Sequence, residues 1–145
     1  MAVSTRMTTS FKQELLQGLH DLDGHTLKLA LIKSGESGTY NETSTNYSDI
    51  TGNSDEASGT GYSSGGATLG SVAITTSGTT AFVDFADVSF SNSTISASGA
   101  MIYNSSAGNR AIAVISFGGT VASTAGTFTV TMPTADSSNA IIRLA

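Results

Sequence analysis

The chain contains no cysteine and no tryptophan, has a single proline, and only 12% of its 145 residues carry a formal charge. Without cysteine it forms no disulfide and offers no thiolate to a metal, so its stability rests on packing and hydrogen bonds, and the redox character of its compartment is left open. Ordinary soluble domains hold roughly 25% charged residues; here Ser, Thr, Gly and Asn fill the polar positions. Such a surface hydrogen-bonds readily and pairs few charges. The six cationic residues stand singly at Arg6, Lys12, Lys28, Lys33, Arg110 and Arg143, and the net charge is −5. That spacing offers no basic stripe to a phosphate backbone and argues against nucleic acid as a partner. No stretch approaches the ~18 apolar residues of a membrane span, and the first ten residues lack the apolar segment of an export signal, so no membrane partner is expected. The Asn-x-Ser/Thr matches at Asn41, Asn46, Asn92 and Asn104 arise by chance in a chain so rich in these residues.

What is present reads as one domain of average size. Phe11, Leu15, Gly18, Leu19 and Leu22 fall on one helical face, with Lys12, Glu14, Gln17 and Asp21 opposite. This predicts an amphipathic helix over 11–22, with Ser10 and Gln13 as a capping box and Gly24 as the left-handed residue beyond its end. The polar residues 1–9 ahead of it are expected to form a flexible arm. After Gly24 the period becomes two: Leu27, Leu29 and Leu31 share one face of a strand, and Lys28, Ala30 and Ile32 the other. Residues 34–70 then form a Ser/Thr/Gly/Asn-rich loop with Tyr40, Tyr47 and Tyr62 spaced along it. It is too long for a plain connector. Strand-like runs follow at 71–76, 81–90, 97–104, 110–117, 126–132 and 139–144, each closed by turn residues. This regular spacing is that of an all-β two-sheet β-sandwich of jelly-roll type spanning 10–145. Val83 and Phe85 share one parity, Val88 and Phe90 the other, which places a bulge or break near Ala86-Asp87. In 126–132 Phe128, Val130 and Met132 alternate with Thr127, Thr129 and Thr131, and Pro133 ends the run. The expected core is Leu29, Leu31, Val72, Ile74, Val83, Phe85, Ile102, Val114, Phe128, Val130 and Ile142.

Few residues suggest chemistry. Gly61-Tyr62-Ser63-Ser64-Gly65 matches the GxSxG nucleophile elbow, but no helical pattern follows it and both histidines precede the serine, against the chain order of that fold. A turn is the better reading, and no catalytic residue is assigned. His20, Asp21, Asp23 and His25 have the right types for zinc, yet an Asp-rich helix end explains them; Asp84 and Asp87 lack the spacing of a calcium loop. The glycines from Gly59 to Gly66 lack the Lys-Ser/Thr of a phosphate loop. No cofactor or metal is expected. A glycan-binding module would need an exposed aromatic platform, for which Tyr40, Tyr47 and Tyr62 are the available rings; their alternative role is to pin the long loop. The outward threonines are one row, short of the repeated array of an ice-binding surface.

Residues Leu27 to Ser34 (LKLALIKS), Gly59 to Leu69 (GTGYSSGGATL), Ala81 to Ser106 (AFVDFADVSFSNSTISASGAMIYNSS) and Ala135 to Ala145 (ADSSNAIIRLA) resemble small virion proteins of tailed bacteriophages, of the capsid decoration or cement type. The likeness covers roughly residues 25–145 and specifies no active site. It implies a non-enzymatic protein at the capsid surface, made in the bacterial host cytoplasm, with the major capsid protein lattice as its partner. Relatives of this kind also serve as tail or fibre components, so the resemblance leaves head and tail both open. Many copies on one lattice tolerate weak individual contacts, and a homo-oligomer, dimer or trimer, would add avidity. Arg6, Tyr40, Tyr47 and Tyr62, in the arm and the long loop, are the expected partner contacts.

Overall fold

In the computed structural model, which describes residues 2–145, the chain is mostly β, with several antiparallel sheets and two helices. In chain order the elements are β1 (Ala2–Val3), β2 (Arg6–Met7), α1 (Thr9–Leu16), β3 (Leu27–Lys33), β4 (Thr39–Tyr40), α2 (Ser48–Gly52), β5 (Ala67–Thr68), β6 (Ala73–Ser77), β7 (Thr80–Asp84), β8 (Val88–Asn104), β9 (Arg110–Val130) and β10 (Ile142–Leu144). Among the described residues the strands form a five-stranded sheet in the order β2-β9-β8-β3-β5, a three-stranded sheet β10-β7-β6, and a parallel pair β1-β4. No helix among them is long and apolar enough to cross a membrane.

The helix is shorter than its apolar period suggests. Thr8, not Ser10, is the N-cap: its hydroxyl accepts from the Phe11 N–H at 3.1 Å and donates to the Ala111 carbonyl at 3.2 Å. The cap therefore also anchors α1 to β9, and Phe11 is fully buried. At the other end Gly18 takes φ +74°, a left-handed conformation that stops the helix well before Gly24. His20 and Leu22 still turn inward from the following loop, whereas Leu16 is left 91% exposed. The segment ahead of α1 is paired rather than a free arm. Ala2 and Val3 lie beside Thr39 and Tyr40, while Arg6 and Met7 pair with Val114 and Ala113.

β3 is buried on both faces. Leu27, Leu29 and Leu31 join a large core with Phe11, Val83, Phe85, Phe90, Ile102, Phe128 and Ile142, drawn from α1, both antiparallel sheets and the link between them. Ala30 and Ile32 join a second core with Tyr40, Ile50, Met101, Tyr103 and Val114. The cover over this second face is the 34–70 segment itself, which contains β4, α2 and β5. It is held close enough that a Cβ on Gly66 would lie 1.8 Å from the Leu29 carbonyl oxygen. Only glycine fits there, the more so at φ +80°.

The runs at 97–104 and 110–117 are parts of longer strands. β8 and β9 form one hairpin from Asn104↔Arg110 to Val88↔Val130. Between Gly99↔Ser116 and Ala97↔Val121, β9 advances five residues to two on β8, so Phe117–Thr120 bulges out. Such bulges let strands longer than the mean bend around a core. The parity change near Ala86-Asp87 is the crossing between sheets: β7 ends at Asp84, β8 begins at Val88, and Phe85 and Val88 both stay buried. Two expected core positions lie elsewhere. β6 is an edge strand, exposed along its length, so Ile74 is 50% exposed and Val72 just before it is only half-buried.

Phe128 is 2% exposed, and its replacement by Ala should cost about 3–5 kcal/mol, while Ile74→Ala should cost less than about 1 kcal/mol. Urea unfolding of the two variants checks this; equal losses would contradict the register of β8 on β9.

Candidate functional site

Tyr40, Tyr47 and Tyr62 gather around two adjacent acids in the long segment, Asp55 and Glu56. Backbone pairing sets them in place. Lys33 N–H donates to the Asp55 carbonyl at 2.8 Å, Ala57 N–H donates to the Leu31 carbonyl at 2.9 Å, and Glu56 lies opposite Ile32. The segment thus continues, beyond β5, the pairing along one edge of β3.

Asp55 is fully buried. Its carboxylate accepts from the Tyr40 hydroxyl at 2.6 Å, from the Ser37 and Gly38 N–H groups at 3.0 and 2.8 Å, and lies 3.4 Å from Lys33 Nζ. Burial alone would raise its pKa. The hydrogen bonds from Tyr40, Ser37, Gly38 and Lys33 outweigh that and hold the carboxyl well below the usual carboxylate range. Tyr40, 1% exposed, is pushed up by burial and by its bond to Asp55.

Glu56 gathers four donors: the hydroxyls of Tyr47 at 2.5 Å, Tyr62 at 2.7 Å and Ser64 at 3.0 Å, and the Gly65 N–H at 2.6 Å. Tyr47 stacks on Tyr103 with ring centroids 4.6 Å apart, and the Tyr103 hydroxyl donates to the Gly65 carbonyl at 2.7 Å. The Tyr62 hydroxyl also accepts from the Leu31 N–H at 3.0 Å. Burial, with the hydrogen bond to Glu56, raises Tyr47 and Tyr62; burial, with nearby Tyr47 and Glu56, pushes Tyr103 up to about 12.

The four residues expected to meet a partner are therefore placed differently from one another. Tyr40 is interior. Tyr47 and Tyr62 are half-buried, with their hydroxyls on Glu56. Arg6 is open, its side chain 65% exposed and 3.8 Å from Glu42. With Tyr40 inside, the three rings do not form an exposed platform. Ser63 and Ser64 lie in the turn that delivers Gly65 to Glu56, and the Ser63 carbonyl accepts from Gly66 N–H.

The histidines are braced at the last residue of β8, next to Tyr103. Asn104 Oδ1 accepts from the Ser106 N–H, which leaves Nδ2 to donate to Nδ1 of both His20 and His25, at 3.0 and 2.9 Å. His20 then carries its hydrogen on Nε2 and donates to Glu14 at 3.0 Å, and Glu14 also pairs with Arg110 at 2.8 Å. Among the described residues no group of three or more His, Cys, Asp or Glu side chains gathers as a metal site. Every buried side-chain nitrogen and oxygen among them has a partner. Sequence inspection missed Asp55, Glu56, Tyr103 and Asn104. The one available signal was an adjacent Asp-Glu pair within a long stretch poor in charge.

This network gives stability a pH dependence of definite sign. Asp55 titrates lower folded than unfolded, so its contribution is present above about pH 4 and lost as pH falls through the depressed value. The tyrosines titrate higher folded, so theirs is intact below about pH 10 and lost as pH rises beyond it. Urea midpoints measured from acid to alkaline pH should fall at both ends, and Asp55→Asn should lower the plateau and flatten the acid limb. An unchanged acid limb in that variant would exclude Asp55 as its source.

Compared with known proteins, the chain matches no protein-family model, no curated sequence and no solved structure.

Proposed function

We propose that the chain is a non-enzymatic structural protein of a tailed-bacteriophage particle, a two-sheet β-sandwich that decorates or cements the capsid. The resemblance of its strand segments to such proteins suggests the class, and the surface supports it. Apolar side chains of a kind normally covered stand uncovered in one region. Ile74 and Leu144, 50% and 48% exposed, line with half-buried Leu15 and buried Leu22 a groove of about 240 Å³ between the end of α1 and the β10-β7-β6 sheet. Leu16 and Leu19, 91% and 39% exposed, belong to the segment that forms its wall. Beside it runs β6, an edge strand without charge or proline to discourage pairing. Large apolar side chains clustered at a surface mark an interaction site.

In this reading the groove and the β6 edge are covered in a homo-oligomer, dimer or trimer, and the oligomer meets the major capsid lattice through several weak contacts at once. The tyrosine braces serve the same end in the absence of disulfides, by keeping the long segment in shape on the particle. Of the four proposed partner contacts, Arg6 is the one whose side chain is largely free to reach a lattice; Tyr47 and Tyr62 can contribute only their exposed rims.

The test is to count this chain against the major capsid protein in purified particles, and to add it back to particles stripped of it. Leu16→Ser with Ile74→Ser should change stability by less than about 1 kcal/mol, because both side chains are already exposed, yet should reduce oligomer formation and particle binding. A chain absent from particles would refute the virion reading. A variant that oligomerises and binds normally would remove the groove from it.

A further inference from the structure

The cations, scattered along the sequence, are not scattered in space. Lys33 and Arg110 are each committed to a carboxylate, of Asp55 and Glu14 respectively. Arg6, Lys12 and Arg143 instead line a single cleft of about 550 Å³, so half of the cationic side chains in a chain of net charge −5 face one hollow. The cleft is assembled from distant segments: β2 and the start of α1 on one side, the start of β7 and the C-terminal segment 133–145 on the other.

These cations are weakly engaged. Arg6 has Glu42 at 3.8 Å with side chains 65% and 49% exposed, a geometry of little energetic weight. Lys12 is exposed and makes no ion pair among the described residues. Arg143 is held from behind, its Nε donating to the Ala140 carbonyl at 3.1 Å and its Nη1 to the Ser137 carbonyl at 3.5 Å, with Nη2 in no hydrogen bond among the described residues. That leaves guanidinium donors for a ligand. Asp136 lies near Arg143, but its carboxylate is bonded to Ser138 and Asn139. Glu42 is the one negatively charged side chain on the lining itself.

The rest of the lining identifies the ligand class. Thr80 and Asn139 bring neutral hydrogen-bonding groups, and Met7, Pro133 and Ile141 bring apolar surface. A bare phosphate has no use for apolar walls, and a nucleic acid longer than the cleft would meet the negative field of the whole chain. A peptide with acidic and apolar side chains uses all three kinds of group. Arginine in particular matches the planar carboxylate with two parallel hydrogen bonds, and the volume lies in the ~300–1,000 Å³ range of ligand sites. We propose that this cleft is a docking site for an acidic, partly apolar peptide segment of a partner protein, with Arg6, Lys12 and Arg143 pairing its carboxylates. The site stands apart from the Leu15/Ile74 groove and does not depend on the virion reading.

The experiment uses the purified full chain and a synthetic peptide of alternating Asp and Leu, followed by backbone amide NMR. Its counterpart with Asn in place of Asp, inorganic phosphate and a short single-stranded oligonucleotide are titrated in parallel. Saturable shifts centred on Lys12, Thr80, Asn139 and Arg143 are expected for the acidic peptide only, weakening as salt is raised. Lys12→Gln with Arg143→Gln should weaken binding about tenfold or more, equivalent to about 1.4 kcal/mol, while Lys28→Gln, away from the cleft, should leave it unchanged. Thermal melts verify that the variants fold; should the double variant not fold, Lys12→Gln alone, at an exposed side chain, carries the test. The proposal is overturned by absence of saturation, by shifts outside the cleft, by equal binding of the Asn peptide, or by phosphate or oligonucleotide binding as tightly. It is overturned equally if Lys28→Gln weakens binding as much as the cleft variants. Because no particle is involved, failure here leaves the virion reading intact, and failure of that reading leaves this one.

Discussion

The second face of the main sheet depends on the acceptance of tyrosine and backbone donors by Asp55 and Glu56. Ala30, Ile32, Met101 and Val114 present apolar surface there, and the segment covering it is too polar to stay by hydrophobic contact alone. Burying polar groups is unfavourable unless each is hydrogen-bonded. Two neighbouring carboxylates meet that demand by collecting hydroxyls and N–H groups from Ser37 to Gly65. Charge-assisted bonds of this kind are about twice as strong as neutral ones, and a network in which all members are satisfied holds one geometry rather than several.

The same device explains how a chain with few charges and no disulfide fixes so long an excursion. Residues 34–70 contain two short strands and one helical turn, none stable alone. Their order comes from three ties: the β3 edge, the Tyr47–Tyr103 stack and, within the segment itself, the Tyr40–Asp55 bond. The N-terminal strands add a fourth, since β1 lies against β4 and β2 against β9. Next to Tyr103, Asn104 plays a comparable part, tying both histidines to the β8–β9 turn through Ser106.

With its polar clusters committed to bracing, the molecule presents two surfaces of different character. One is apolar, at the end of α1 and the edge sheet. The other is the cationic cleft between β2 and the C-terminal segment.

What the sequence alone determined was the all-β character and much of the core. Period-two runs such as Phe128, Val130 and Met132 state which side chains point inward, and the parity change at Ala86-Asp87 marks where the chain leaves one sheet for another. Local pattern did not reveal the early stop of α1 at Gly18, because Leu19 and Leu22 continue the helical period and Leu22 is buried all the same, from a loop. Nor did it separate β6 from the core strands, since Ile74 has a core residue's chemistry and is exposed only because β6 lies at an edge. Tertiary structure alone decided where Tyr40, Tyr47 and Tyr62 go and which cations share a cleft. The physical reason is the same in each case: apolar periodicity is a property of neighbouring residues, whereas a hydrogen-bond acceptor, a strand partner or a shared cavity wall is supplied by residues dozens of positions away.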